Sequence, residues 1–215
     1  MIETLAESLA CDGHGFLRGV IPAMLIGDAR RETDPIAQAG LRNPLSAVPA
    51  LARLARSDEI IKIIHELLGE ESVLTRAILF DKTPERNWPV PPHRDTTIAV
   101  AERIQLEGYG PWSVKDGVVH VRPPDDVLAS MWTLRVAIDP APVTNGPLRV
   151  LPGSHLDEDA RADWVSLACE PGDVVLMRPL LMHASERVAK PSRRRVLHLE
   201  WAAGPLPEPL AWAGV

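Results

Sequence analysis

The spacing of hydrophobic residues divides the chain into a helical first third and a strand-rich remainder. Residues 2–11 and the segment from Pro22 to about Arg31 have the pattern of short helices, and a strand is predicted between them at 16–21. From Leu45 to Leu68, apolar residues recur every three or four positions. This stretch predicts two helices that divide near Ser57, because serine is a common helix cap.

After Gly69, short runs of Val, Leu and Ile alternate with clusters of Pro, Gly, Asn and Asp. This pattern is typical of a sandwich or barrel of short strands. The strands are predicted near 72–81, 95–100, 117–121, 131–139, 147–151, 164–168, 173–177, 181–187 and 194–201. Their number favours a mostly β protein with flanking helices, folded as a double-stranded β-helix, the jelly roll of cupin-like proteins.

The length of 215 residues suits one domain with one well-buried core, and no linker-like break divides it. We expect a single domain over 1–215, with an N-terminal helical part to about 70 and a jelly-roll core over about 71–202. The proline-rich end that begins at Pro205 is expected to leave the last strand as a tail.

Composition narrows the function class. A net charge of −6 argues against a nucleic-acid or anionic-membrane surface, so a small-molecule substrate is favoured. The only two cysteines, Cys11 and Cys169, have no CxxC spacing, which fits a reducing compartment. The first residues carry acids where a signal peptide would carry bases, and no uncharged apolar run is long enough to span a bilayer. We therefore predict a cytoplasmic protein, while the oligomeric state is not indicated.

The candidate metal ligands begin with a histidine and a carboxylate two residues apart, His93 and Asp95. Successive strand side chains alternate faces, so residues i and i+2 can bind one ion while Arg94 faces elsewhere. The spacing is common: with 7 histidines and 29 acidic residues in 215 positions, about one such pair arises by chance. The chain holds three, at His93/Asp95, His155/Asp157 and His198/Glu200.

The residues located C-terminal to each pair distinguish the three. An iron site of two histidines and one carboxylate needs a second histidine from a distant strand, and an enzyme that uses 2-oxoglutarate needs a later cation for the far carboxylate. The first pair precedes His183 and then three arginines at 193–195. For the pair at 155/157, His183 follows too closely to lie on a distant strand, and His198 is followed by no arginine. The pair at 198/200 is followed by no histidine. Only the first pair completes a site.

Two further features leave two interpretations open, and two histidines are assigned structural roles. Residues 101–116 are predicted to form either a lid over the substrate pocket, with Trp112 as a contact, or a surface loop. His120 lies in an apolar strand and either faces the pocket or is a core histidine. His155 is interpreted as a side chain that holds its turn, and His65 as a surface or packing residue.

Several ordered motifs resemble one known family. They are Ile78 to Pro84 (ILFDKTP), His93-Arg94-Asp95, Asn145 to Leu148 (NGPL), Pro152 to His155 (PGSH), and His183-Ala184-Ser185 with a later arginine. Together they look like the phytanoyl-CoA dioxygenase family of Fe(II)/2-oxoglutarate oxygenases, over about 15–201. The resemblance implies a jelly roll that holds Fe(II) through His93, Asp95 and His183, with 2-oxoglutarate and O2 as co-substrates.

The resemblance also implies how 2-oxoglutarate is held. In the family, the arginine for its C5 carboxylate lies eleven residues after the distal histidine, which selects Arg194. The family hydroxyl two residues after that histidine falls on Ser185. Arg42 and Arg135 occupy positions where relatives have further co-substrate contacts. Strand alternation places the other two arginines, at 193 and 195, on the opposite face, where a solvated basic edge is expected.

Two departures from the family pattern bear on the substrate. Relatives usually have an aromatic residue before the first ligand and glutamine between the ligands, where this chain has Pro92 and Arg94. Pro92 restricts the approach to the strand, and Arg94 is expected to carry a charge to the pocket rim. The carboxylate of Asp95 favours hydroxylation, because related halogenases lack it.

The implied reaction is hydroxylation of a small molecule, with release of succinate and CO2. The alternative is a non-oxidative Zn or Mn hydrolase or isomerase, or a binding module, on the same jelly roll. The presence of Arg194 and Ser185 favours the oxygenase, because a hydrolase does not need a pair of buried groups that binds a carboxylate.

Overall fold

The computed structural model describes residues 2–157, 159–188 and 192–215, and only the backbone of residues 2–6. Its helices are α1 (Ile2–Cys11), α2 (Ala23–Thr33), α3 (Pro49–Ala55), α4 (Asp58–Leu68) and α5 (Asp125–Ala129). The strands of the first half are β1 (His14–Leu17), β2 (Gly40–Arg42), β3 (Val73–Lys82), β4 (Val90–His93), β5 (Ile98–Val100), β6 (Trp112–Lys115) and β7 (Val118–Val121). Those of the second half are β8 (Met131–Ala137), β9 (Leu148–Val150), β10 (Val165–Leu167), β11 (Val174–Met177), β12 (His183–Ser185) and β13 (Arg194–Ala202).

The strands form three antiparallel sheets, and the two larger ones make the jelly roll. The six-stranded sheet has the order β1-β11-β8-β13-β3-β2, and the four-stranded sheet has the order β10-β9-β12-β4. The predicted jelly roll is confirmed. Both edges of the large sheet, β1 and β2, come from the N-terminal part of the chain; β1 overlaps the strand expected at 16–21, whereas β2 was not expected. The N-terminal part therefore completes the sheet as well as covering it.

Strand alternation gives the large sheet one apolar and one polar face. The odd-numbered residues of β3 and β13, such as Leu79 and Leu197, pack in one buried cluster with Leu54, Ile60 and Ile64 of the helices. Even-numbered residues of the same strands face the opposite way. They include Lys82 and Arg194, which are direct cross-strand partners. The helices thus cover one face, and the other face is left for the site.

The region around the first ligand differs from the expectation. A strand was expected from 95, but β4 ends at His93 and β5 begins at Ile98, so Asp95 lies between strands. Pro91 and Pro92 conceal β4 in the sequence. They are tolerated because β4 is an edge strand, where a missing N–H breaks no ladder bond.

The third sheet has the order β5-β7-β6. Tyr109 of the preceding loop is buried with Leu206 and Leu210 of the C-terminal end. The end of the chain therefore packs against this sheet, with a bridge from Trp212 to Val100, and does not leave as a tail. Within the described residues, no helix is long and apolar enough to cross a membrane.

Candidate metal centre

Two adjacent strands bring the predicted metal ligands together. His183 of β12 is the direct cross-strand partner of His93 at the end of β4, and the two imidazole ring centres are 4.1 Å apart. Asp95 comes just after the strand, and its backbone N–H donates to the carbonyl of Pro179 at 2.9 Å. Its carboxylate oxygens lie 3.9 Å from His93 Nε2 and 3.7 Å from His183 Nε2. The three side chains therefore converge on one point.

The hydrogen bonds of the three side chains leave one potential ligand atom of each available for a metal ion. His93 Nδ1 and His183 Nδ1 each lie 2.9 Å from a backbone carbonyl, of Pro91 and Leu181. Each Nδ1 therefore carries the proton and donates it to the carbonyl, which turns the lone pair of Nε2 toward Asp95. Oδ2 of Asp95 is buried and has no hydrogen-bond partner among the described residues. Two imidazole nitrogens and a free carboxylate oxygen fit a divalent cation such as Fe(II).

A neighbouring group, Asp95 with His198 and Glu200, also places ligand-type atoms close together. Both ring nitrogens of His198 already have partners. Nδ1 lies 3.0 Å from Nη1 of Arg135, and Nε2 lies 3.0 Å from Oε1 of Glu200. Arg135 can only donate, so Nδ1 accepts and Nε2 donates. Glu200 is also ion-paired with Arg76. This group therefore serves as a hydrogen-bonded wall beside the triad.

A cluster of cations lines the same cavity. Lys82, Arg135 and Arg194 line it together with His93, Asp95, His183 and Ser185. Nζ of Lys82 donates to Oγ of Ser185 at 3.0 Å, and Arg194 donates to the carbonyl of Gly146. In the described parts of the chain, none of the three cations has a carboxylate within salt-bridge distance. The cluster therefore lacks the anion that buried charges normally need.

The same crowding shifts the acidity of these groups. Burial, with Arg194 and Arg135 close by, lowers the pKa of Lys82 to about 7. Burial beside Arg135 lowers the pKa of Arg194 to about 10. Burial also lowers the pKa of Arg135. A bound dianion would reverse these shifts, because an opposite charge stabilises the protonated form of each group.

Glycine at position 146 fixes the carbonyl that holds Arg194. Gly146 adopts φ = 57°, and a Cβ there would lie 2.6 Å from the carbonyl oxygen of Glu186. Only glycine fits this turn without strain. The Asn-Gly turn seen in the sequence therefore places one of the site's hydrogen-bond acceptors.

The cavity holds about 170 Å³ and combines a polar floor with apolar walls. The walls are Phe80, Trp88, Val90 and Leu148. This is the composition of a small-molecule site, in which a few fixed polar groups orient a ligand against apolar surface.

Three other predicted contacts lie outside this cavity. Arg42 is paired with Asp116, and His120 is buried with Nδ1 3.0 Å from the carbonyl of Val118. Arg42 and His120 line a separate, much smaller cavity. Trp112 packs against the cluster around Tyr109. His155 does not line this cavity; its ring lies against Gly13, and its role in holding its turn stays a prediction.

Sequence reasoning missed Lys82, although the motif that contains it was recognised. The signal was present: Lys82 is charged, and it lies two residues after Phe80 on a strand face that carries a second charged residue, Arg76. It also missed the pairing of His198 and Glu200 with Arg135 and Arg76, because these partners lie on three different strands.

The expectation of a solvated basic edge at Arg193 and Arg195 is wrong. Arg193 binds the fully buried Asp81 through two bonds of 2.8 and 3.1 Å. Arg195 is buried and binds Asp139 through bonds of 2.6 and 3.0 Å. The expectation that Arg94 reaches the pocket rim is also wrong, because its guanidinium is bound to two backbone carbonyls and does not line the cavity.

The family description "Phytanoyl-CoA dioxygenase (PhyH)" matches residues 28–196, most of the chain. The chain belongs to this family. Its cofactor and co-substrates are accordingly Fe(II), 2-oxoglutarate and O2, and it is an oxygenase-type enzyme that depends on 2-oxoglutarate. No curated protein matches the chain significantly.

Solved structures agree with the fold of this family member. EctD from S. alaskensis, solved with 2-oxoglutarate and 5-hydroxyectoine, is 22% identical with a TM-score of 0.72, over 98% of this chain and 78% of EctD. The epimerase SnoN from nogalamycin biosynthesis is 19% identical with a TM-score of 0.71, over 93% of this chain and 81% of SnoN. AviO1 from Streptomyces viridochromogenes Tue57 is 23% identical with a TM-score of 0.67, over 95% and 97% of the two chains.

Proposed function

We propose that the protein hydroxylates a small molecule with Fe(II) held by His93, Asp95 and His183. With 2-oxoglutarate and O2, such a site couples decarboxylation to succinate and CO2 with insertion of one oxygen atom into a C–H bond of the substrate. The observation that carries the proposal is the cluster of buried cations without a carboxylate partner among the described residues, in the same cavity as the triad. A buried dicarboxylate supplies the missing negative charge.

Each residue then has a defined task in binding 2-oxoglutarate. Arg194 and Lys82 pair with the C5 carboxylate, and Ser185 adds a hydroxyl donor to the same group. Arg135 lines the same cavity and has only one bond of its own among the described residues, to His198, so its remaining N–H groups can bind the other end of the molecule. Arg42 is left out of this set because it is paired with Asp116 outside the cavity.

The cation cluster disfavours the non-oxidative alternative. A Zn or Mn hydrolase or isomerase needs a water molecule or a substrate atom bound to the metal. It does not need additional buried cations in the same cavity. Burying two arginines and a lysine without anionic partners costs free energy, either as unpaired charge or as a lowered lysine pKa, and a protein recovers it when an anionic ligand binds.

Substrate-dependent succinate release tests the proposal. The Fe(II)-loaded protein is incubated with 2-oxoglutarate, O2 and a panel of amino acids, acyl-CoA thioesters and small natural products. A substrate should raise succinate release well above the background, and one ¹⁸O atom from ¹⁸O2 should appear in the product. An oxidised product without ¹⁸O would refute hydroxylation in favour of another oxidation. Turnover without 2-oxoglutarate would refute the oxygenase assignment itself.

A further inference from the structure

The third metal ligand, Asp95, is held differently from the two histidines. His93 and His183 are fixed by strand pairing and by the bonds from Nδ1 to backbone carbonyls. Asp95 belongs to no strand, and its Oδ2 has no partner among the described residues. Its position depends on the backbone on either side of it.

Arg94 anchors that backbone. Its Nε donates to the carbonyl of Leu180 at 2.9 Å, and its Nη2 donates to the carbonyl of Ser154 at 2.9 Å. The next N–H, that of Asp95, donates to the carbonyl of Pro179 at 2.9 Å. Three bonds thus fasten the segment that carries Asp95 to the segment that leads into His183 and to the turn at Ser154.

Ser154 makes the second anchor point rigid. Its buried hydroxyl donates to the carbonyl of Leu151 at 2.7 Å and accepts from the N–H of Met182 at 2.8 Å. Met182 precedes His183 directly, and its carbonyl accepts from the N–H of Leu151 at 2.9 Å. Arg94 therefore binds a turn that is itself tied to the residue before the distal ligand.

We infer that Arg94 is a positioning residue for the metal site: by bridging the carbonyls of Leu180 and Ser154, it holds the carboxylate of Asp95 at the distance that His93 and His183 require. The geometry needs a forked side chain with two separate donors. Lysine offers one donor group and cannot span both carbonyls in the same way. This inference rests on the ligand set proposed above.

Cobalt(II) titration of the metal-free protein tests the inference without 2-oxoglutarate or turnover. Arg94→Met keeps a long side chain but removes both donors. Losing a group that orients a metal ligand commonly costs about 10–100-fold in metal affinity, so we expect the Kd for Co(II) to rise by that factor. The visible absorption of bound Co(II), which reports its coordination, should also change. Arg94→Lys should fall between Arg94→Met and the wild type.

Arg178→Met is the matched control. Arg178 also donates to a backbone carbonyl, that of Ala129 at 2.7 Å, and it starts the same segment, but it stacks on Trp132 and, among the described residues, has no bond to the segment of Asp95. Arg178→Met should lower the thermal midpoint of unfolding and leave the Kd for Co(II) within twofold of the wild type.

The outcomes distinguish the positioning role of Arg94 from the assignment of the metal ligands. If folded Arg94→Met or Arg94→Lys binds Co(II) as the wild type does, or if Arg178→Met weakens binding as strongly, Arg94 has no positioning role. If His183→Ala binds Co(II) with unchanged affinity and spectrum, the ligand set itself is wrong. Loss of binding in His183→Ala together with graded loss in the two Arg94 variants supports both.

Discussion

Neighbouring arginines at the start of β13 are equally buried and differ completely in their partners. Arg195 and Arg194 are each 6% exposed. Arg195, on the helix-covered face, has two bonds to the carboxylate of Asp139 and one to Thr33. Arg194, on the cavity face, donates a hydrogen bond to one backbone carbonyl and, within the described residues, has no carboxylate partner. The charge of Arg195 is neutralised within the fold, whereas Arg194 is the residue that we propose binds an anionic ligand.

The difference shows how one strand can serve stability and function at once. Alternation sends successive side chains to opposite faces, so residues one apart can have unrelated tasks. On the outer face, charges are neutralised by Asp81 and Asp139 and hold the helices to the sheet. On the inner face, the same residue type is left with unused donors, which is costly for folding and useful for binding.

The largest expected effect is the loss of 2-oxoglutarate binding in Arg194→Ala. Removing one partner of a buried charge pair costs about 3–5 kcal/mol, which is roughly 100-fold to several thousand-fold in affinity. Calorimetric titration of the Mn(II)-loaded variant measures this loss, and Mn(II) affinity should be retained. If Arg194→Ala binds 2-oxoglutarate within threefold of the wild-type affinity, Arg194 does not serve to bind 2-oxoglutarate.

Arg195→Ala should have the complementary effect. It leaves the buried carboxylate of Asp139 short of its main partner, so the free energy of unfolding in urea should fall by about 3–5 kcal/mol. The folded variant should bind 2-oxoglutarate as the wild type does. Arg31→Ala is the control, because its exposed pair with Asp28 contributes at most about 1 kcal/mol. A weakened 2-oxoglutarate affinity in Arg195→Ala would show that the two faces are not independent.

A smaller effect is expected on the pH dependence of 2-oxoglutarate binding. Since burial and the nearby arginines lower the pKa of free Lys82 to about 7, the amine is neutral above that pH and takes up a proton when the dianion binds. The Kd should therefore rise as the pH increases above about 7, by at most about tenfold per pH unit. Lys82→Met should bind more weakly and lose this slope. A slope that persists in Lys82→Met would assign it to another group.

The smallest effect is expected for Arg42→Ala. The family resemblance suggested a co-substrate contact there, but the side chain is paired with the exposed Asp116 outside the cavity. The Kd for 2-oxoglutarate should stay within twofold of the wild type in the same titration. A tenfold loss would restore Arg42 to the binding set.

Rare residue types with ordered spacing allowed four residues to be selected from the sequence that the structure brings into one cavity. His93, Asp95, His183 and Arg194 could be chosen because only one of three histidine–acid pairs has both a later histidine and a later arginine, and because the family spacing singles out one arginine of three. The jelly roll could be predicted from the density of short apolar runs. A role of residues 101–116 as a lid and a cytoplasmic location stay predictions.

Long-range pairing set the limit of that reasoning. Whether an arginine is solvated or buried depends on partners such as Asp81, Asp139 and the carbonyl of Ser154, which lie tens of residues from the arginines at 193, 195 and 94. Spacing along one strand carries no information about them. The two prolines of β4 likewise made this strand hard to predict, because prolines are tolerated there only at the edge of a sheet, and the sequence does not give the strand order.

Anaerobic addition of 2-oxoglutarate to the Fe(II)-loaded protein probes the metal triad and the cation cluster together, because chelation of Fe(II) by the oxo acid gives a visible metal-to-ligand charge-transfer band. We predict this band in the wild type and in Arg195→Ala at similar 2-oxoglutarate concentrations. In Arg194→Ala it should appear only at concentrations at least about 100-fold higher. Absence of the band in the wild type, or equal behaviour of the two variants, would show that the buried cations of this cavity do not serve 2-oxoglutarate.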